Sequence, residues 1–135
     1  MANALYDKGR QGFLDGSIDF DTDDIRAILI DTADYTVNLA THDNLDDVAA
    51  AARVAVSAAL ASKTVVDGVA DAADVTFSTV TGDSCEAIVL YKHTGTESTS
   101  RLIAYIDSAT GLPVTPNGGD ITVQWDSGTN KIFKL

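Results

Sequence analysis

The chain has 135 residues, 45% of them hydrophobic and 21% charged, with 20 acidic side chains against nine basic ones and a formal net charge of −11. This length fits one domain, 1–135, able to bury a core without covalent staples. The charge opposes a nucleic-acid coat, which needs clustered Lys and Arg, and opposes an anionic membrane surface. Cys85 is the single cysteine, which excludes an intrachain disulfide and a cysteine-built zinc site.

The first stretch, ALYDKGRQGFL, places Leu5, Phe13 and Leu14 among polar residues. The N-terminus is charged throughout and has no long apolar run, so a secretory leader is not expected. No run reaches the roughly 18 apolar residues of a membrane-spanning helix. Residues 1–16 read as a short helix ending near Asp15-Gly16, with Gly16 supplying a left-handed cap. Gly9 and Gly12 argue against a helix on propensity. The alternative is an N-terminal arm that orders on a partner, where Lys8 and Arg10 would meet an acidic neighbour.

The first clear strand follows DFDTDD and covers IRAILI. DFDTDD has the D-x-D-x-D start of a calcium loop, but Asp24 stands where Gly is needed and Ile30 where a bidentate Glu is needed. A solvated acidic turn is the simpler reading, as it is for Asp46-Asp47 and for Asp67, Asp71 and Asp74. A long polar connection follows, with a helical turn opened by Thr41 or Asp43. The segment RVAVSAAL then alternates as a strand, with Val54 and Val56 on one side.

Asp67-Gly68 marks a tight turn between two short apolar runs. A strand covers about Asp74 to Val80 on its period-2 pattern. The Thr81-Gly82-Asp83 turn predicts that it pairs as a hairpin with AIVLYK. AIVLYK (87–92) and LIAYID (102–107) are apolar on both faces, rich in β-branched and aromatic residues, and bounded by turns. They read as two central strands joined by a long polar hairpin loop or a crossing. On strict alternation Leu102, Ala104 and Ile106 share one face. After the irregular segment SATGLPVTPNGGD, the stretch ITVQWD alternates sharply, with Trp125 inward as a core anchor. Ser127 to Asn130 reads as a hairpin loop returning through KIFKL. The count predicts an all-β fold, a jelly-roll-like β-sandwich of about eight strands with one or two short helices.

Catalytic and metal signatures are weak. His42 and His93 have no metal-ligand spacing, and no G-x-S-x-G, S-x-x-K or H-E-x-x-H occurs. A buried core thiol is the expected role of Cys85. Twenty carboxylates leave a glycosidase pair formally open, without an aromatic cleft to support it. The reading is therefore no enzyme, no cofactor and no metal.

The strings ALYDKGRQGFLDGSIDFDTDDIRAILIDTADYTVNLATHDNLDDV, GVADAADVTF, EAIVLYKHTGTES and LIAYIDSATGLPVTPNGGDITVQWDSGTNKIFKL carry a resemblance over nearly the whole chain. It resembles small virion structural proteins of tailed bacteriophages, identified here with the capsid decoration (cement) proteins. VAAAARVAV departs from that group, where a turn with Pro or Gly is more usual. The resemblance implies a non-enzymatic protein on the capsid exterior, present in the host cytoplasm before assembly. It implies binding to adjacent major capsid protein subunits and homo-oligomerisation as a dimer or trimer, with no nucleic acid and no membrane. Leu5, Lys8, Arg10, Phe13 and Leu14 are the candidate partner-interface residues. The alternatives are a phage tail structural component and a virion-surface carbohydrate-binding module, which would need accessible aromatics such as Tyr35, Tyr91 and Tyr105.

Overall fold

The structure, a computed structural model, describes residues 3–135. Among the described residues the chain forms ten strands and one α-helix. Strand β1 is Ala4–Leu5, helix α1 Asp7–Asp15, β2 Ile25–Ile30 and β3 Arg53–Val56. They are followed by β4 Thr64–Val66, β5 Val69–Asp71, β6 Val75–Phe77 and β7 Ala87–Lys92. The last three are β8 Leu102–Ile106, β9 Ile121–Val123 and β10 Phe133–Lys134. Short 3-10 turns lie at Leu45–Asp47, Ala50–Ala52 and Glu97–Thr99. The fold is all-β, with every pairing antiparallel: one sheet in the order β1-β8-β7-β2-β3, one in the order β10-β5-β4, and the pair β6-β9. The strands divide five, three and two, so these pairings alone do not establish the two-sheet jelly-roll pattern.

The two-faced apolar runs become the centre of the large sheet, as their sequence predicts. Strand β7 lies between β2 and β8, with Ile28 opposite Val89 and Leu90 opposite Ala104. Every residue of β7 from Ala87 to Tyr91 is buried. One face of the sheet presents Ala27, Leu29, Ile88, Leu90 and Ile106, and packs on the two small sheets through Phe77, Val123, Trp125 and Ile132. The other presents Ile28, Ile30, Val89, Tyr91 and Tyr105, and is covered by Tyr35, Leu45, Val48 and Ala52 of the long connection. The segment between β7 and β8 is a hairpin loop, and it is tied to the long connection by a hydrogen bond from the Leu45 N–H to the Ser100 carbonyl at 2.9 Å. Strict alternation fails along β8: a bulge opposite Leu90/Tyr91 places Ile103 with Ala104 on one face and Leu102 with Tyr105 on the other.

Two predicted hairpins do not form. Strand β6 pairs with β9, not β7, with Val75 opposite Val123 and Phe77 opposite Ile121. Both β6 and β9 alternate buried-exposed-buried and share one wet face, whereas both edges of β7 are already taken by the predominantly apolar strands β2 and β8. Nor does KIFKL return on ITVQWD: β10 pairs with β5, placing Phe133 opposite Ala70. Phe133 there stacks at 5.7 Å from Phe13 and 5.6 Å from Phe20 (ring centroids), so the aromatic contact across the chain ends decides the pairing. The Asp67-Gly68 turn forms as expected, with positive φ at both residues, and joins β4 to β5. Strand β3 carries a bulge opposite Leu29/Ile30, and Val56 points outward while Val54 packs on the core, so these two valines do not share a face.

Helix α1 lies across β8, and its glycines explain how. A Cβ on Gly9 would stand 2.8 Å from the carbonyl oxygens of Ile103 and Leu102, and one on Gly12 2.5 Å from the Ile18 side chain. Both glycines are buried. Both cost helix propensity; Gly9 permits a backbone-to-backbone contact with β8 that a side chain would block, and Gly12 makes room for the Ile18 side chain. Gly16 closes the helix at φ 81, as its sequence position predicts. Gly9→Ala should cost about 1–3 kcal/mol, because the obstructing atoms are backbone and cannot swing away. A urea midpoint unchanged from the parent would refute this docking.

Candidate interaction surface

The chemistry-bearing residues divide into those the fold consumes and those it leaves outside. Cys85 is fully buried, its Sγ facing the Asp83 carbonyl at 3.5 Å, and burial pushes the thiol up to about 11. A protonated, enclosed thiol does not serve as a nucleophile at neutral pH. His42 Nδ1 accepts from the Asn38 N–H at 3.3 Å, so the Tyr35 hydroxyl, 2.8 Å away, donates to it. Tyr35 in turn accepts from Tyr6 at 2.9 Å. Tyr6 is fully buried, and desolvation raises its hydroxyl far above the ordinary tyrosine range. This chain satisfies polar atoms under the large sheet and ties the N-terminal segment to the long connection. Trp125 is a core anchor, as expected, its Nε1 donating to the Ala73 carbonyl at 3.0 Å.

Two of the four aspartates of the acidic loop are paired with cations. Asp24 accepts a bidentate pair from Arg26 at 3.0 and 2.9 Å, and Lys92 reaches Asp23 at 3.1 Å. Lys63 donates to the Asp23 carbonyl. Asp23 Oδ2 also accepts the Asp19 N–H at 2.8 Å, closing the turn on itself. The Arg26 guanidinium holds the Asp24 carboxyl below its usual range. Among the described residues, carboxylates converge in threes at Asp31, Asp34 and Asp83 and at Asp43, Asp46 and Asp47, away from DFDTDD. Asp31 accepts the Ala33 N–H and Asp47 the Asp43 N–H, so each trio also fixes local backbone. Asp74, expected as a solvated charge, instead accepts the Trp125 backbone N–H at 2.9 Å and ties β6 to the end of β9.

The candidate interface residues do not stay together. Leu5 is 6% exposed and belongs to the core, where β1 pairs with β8. Phe13 is partly buried against that core. The backbone carbonyl of Lys8 accepts from Arg101 at 3.1 Å while its ammonium reaches Gln11. Arg10 is exposed and lies 3.5 Å from Asp7. Leu14 stands 88% exposed near the end of α1, the most exposed large apolar side chain among the described residues.

One open cleft, of about 690 Å³, runs along the β1 edge of the large sheet and the β10 edge of the three-stranded sheet. Arg10 lines it together with Lys131 and Lys134, while among the described residues Asp126 is its only carboxylate. Sequence reasoning reaches Arg10 and misses the two lysines. They flank the apolar pair Ile132-Phe133, which reads as an ordinary returning strand, and their approach to the N-terminal helix comes from the Phe13–Phe133 contact. Comparison with known proteins finds no matching family model and no matching curated relative.

The Asp24–Arg26 pair gives a signed pH test. An unfolded aspartate titrates near pH 3.9, so the pair contributes fully above that value and is lost as pH falls through the lowered folded value. Asp24→Asn should be less stable than the parent at pH 7, with the deficit shrinking as pH falls through the lowered folded value. A deficit constant across that range in urea titrations would contradict the assignment.

Proposed function

We propose that this protein is a non-enzymatic structural protein of a tailed-bacteriophage virion that decorates and stabilises the capsid from outside. In this reading it binds adjacent major capsid protein subunits and acts as a homo-oligomer on the lattice, where weak contacts repeat and add by avidity. The sequence resemblance supplies the class. The structural observation that supports it most is the tip of α1. The helix is held against β8 through Gly9, yet it carries Leu14 in its last turn at 88% exposure. A rigidly held, solvent-facing leucine is what a docking contact requires, because little ordering is needed on binding.

A tail structural component is the alternative in the same class. The carbohydrate-binding reading has less support. Its candidate platforms Tyr35, Tyr91 and Tyr105 are 5%, 2% and 5% exposed, and Trp125 is buried, so none of them offers a ring face to a sugar.

Tagged protein mixed with decoration-free capsids and pelleted, with purified tails as the control, tests the proposal. The expected result is saturable binding to heads at a fixed copy number per capsid subunit. Leu14→Asp should weaken it about tenfold or more, the effect of losing one anchor worth over 1 kcal/mol. Its unfolding midpoint should stay at the parent value, since Leu14 lies outside the core. Binding to tails alone would move the protein to the alternative role, and binding to neither would overturn the virion assignment.

A further inference from the structure

We infer that the cleft between β1 and β10 is a docking groove for an extended, carboxylate-bearing peptide segment of a partner protein. Three observations converge on it. The first is charge. The chain carries 20 acidic and nine basic side chains, yet this cleft is lined by three of the nine cations and one of the 20 carboxylates. The second is the state of those cations. Arg26, Arg53 and Lys92 are each bound to a carboxylate at 2.7 to 3.1 Å. Among the described residues, Lys131 and Lys134 have neither an ion pair nor a side-chain hydrogen bond, and Arg10 has only the loose, exposed contact to Asp7. In a molecule with an excess of 11 negative charges, unpaired cations gathered in one cleft favour an anionic ligand there.

The third observation is the backbone. Strand β1 ends the large sheet and β10 ends the three-stranded sheet; each is paired on one side only, and both line the cleft. An edge strand presents unpaired N–H and C=O groups that an extended segment can complete by strand addition. The volume, about 690 Å³, falls within the size range of sites that enclose ligands. In an added strand, side chains alternate between the two faces, so the cations would select acids at positions i and i+2. The inference concerns the ligand's chemistry and stands whether or not the partner is a capsid subunit.

The test is selection of binders to the full chain from a random heptapeptide library, followed by amide chemical-shift mapping with the synthetic peptides obtained. The expected result is enrichment of Asp or Glu at alternate positions, with shifts at Ala4, Leu5 and residues 131–134. Lys131→Glu combined with Lys134→Glu should weaken binding at least about tenfold. Its thermal midpoint should match the parent, because neither side chain has a partner to lose. Three outcomes overturn the inference: no peptide selected, peptides without acidic enrichment, or shifts elsewhere on the molecule. A seven-nucleotide oligothymidylate run in parallel supplies a fourth. If it occupies the same residues more tightly than the peptides, the cleft is a general anion site and not a peptide groove.

Discussion

Strand β7 is buried on both faces and paired on both edges, and the rest of the chain is arranged to keep it so. Ile88 and Leu90 face one layer and Val89 and Tyr91 the other. Neither layer can be omitted without exposing aliphatic surface, at a cost of roughly 25 cal/mol per Å². This constraint explains the long connection between β2 and β3. Its two 3-10 turns carry Leu45, Val48 and Ala52 onto the sheet. Arg53 then fixes that cover by donating to the carbonyls of Val48 and Leu45, while pairing with Glu97 on the β7–β8 loop at 2.7 Å. The guanidinium holds the layer through backbone oxygens, so the seal does not depend on which side chains the turn exposes.

The same constraint sorts the chemistry. Groups that could have been reactive or sugar-binding, namely Cys85, Tyr91, Tyr105 and Trp125, are spent on filling the two layers. The acidic DFDTDD turn is spent on Arg26, Lys63 and Lys92. Among the described residues, exposed large apolar side chains remain at Leu14 on α1, Val56 on β3, Val65 and Val66 on β4 and Leu135, while Arg10, Lys131 and Lys134 gather at the rim of the β1–β10 cleft. Phe133, packed against Phe13, brings the C-terminal strand to the N-terminal helix at that rim. The contacts of Phe133 with Phe13 and Phe20 thus link the end of the chain to its beginning, with Arg10, Lys131 and Lys134 on one cleft.

Much of this was legible from local pattern. The two-faced runs announced the central strands, Asp67-Gly68 announced its hairpin, and Gly16 announced the end of α1. The partners of β6, β9 and β10 were not legible, because these strands are only two or three residues long and short strands carry little register information. Their pairing is decided by contacts distant in sequence, such as Phe133 with Phe20. The helix over the first residues was legible, ending at Gly16 as read, although propensity counts Gly9 and Gly12 against it; what propensity does not show is that docking on β8 requires Gly9. Leu5 misled, since an apolar residue near a chain end reads equally well as an anchor for a partner or a strand of the chain's own sheet. The cleft cations were invisible as a group because they lie about 120 residues apart.

The central claim is that the β2-β7-β8 ladder is the unit on which everything else is laid. Site-resolved amide hydrogen exchange of the intact protein at neutral pH tests it directly. The account predicts the slowest exchange at amides of β7 and its ladder neighbours, such as Ile28, Val89 and Leu90, opening only with global unfolding. The β4–β5 hairpin and β10 should exchange faster, through local opening. If β4 and β5 proved as protected as β7, or if β7 exchanged before the small sheets, the ladder would not be the foundation of the fold.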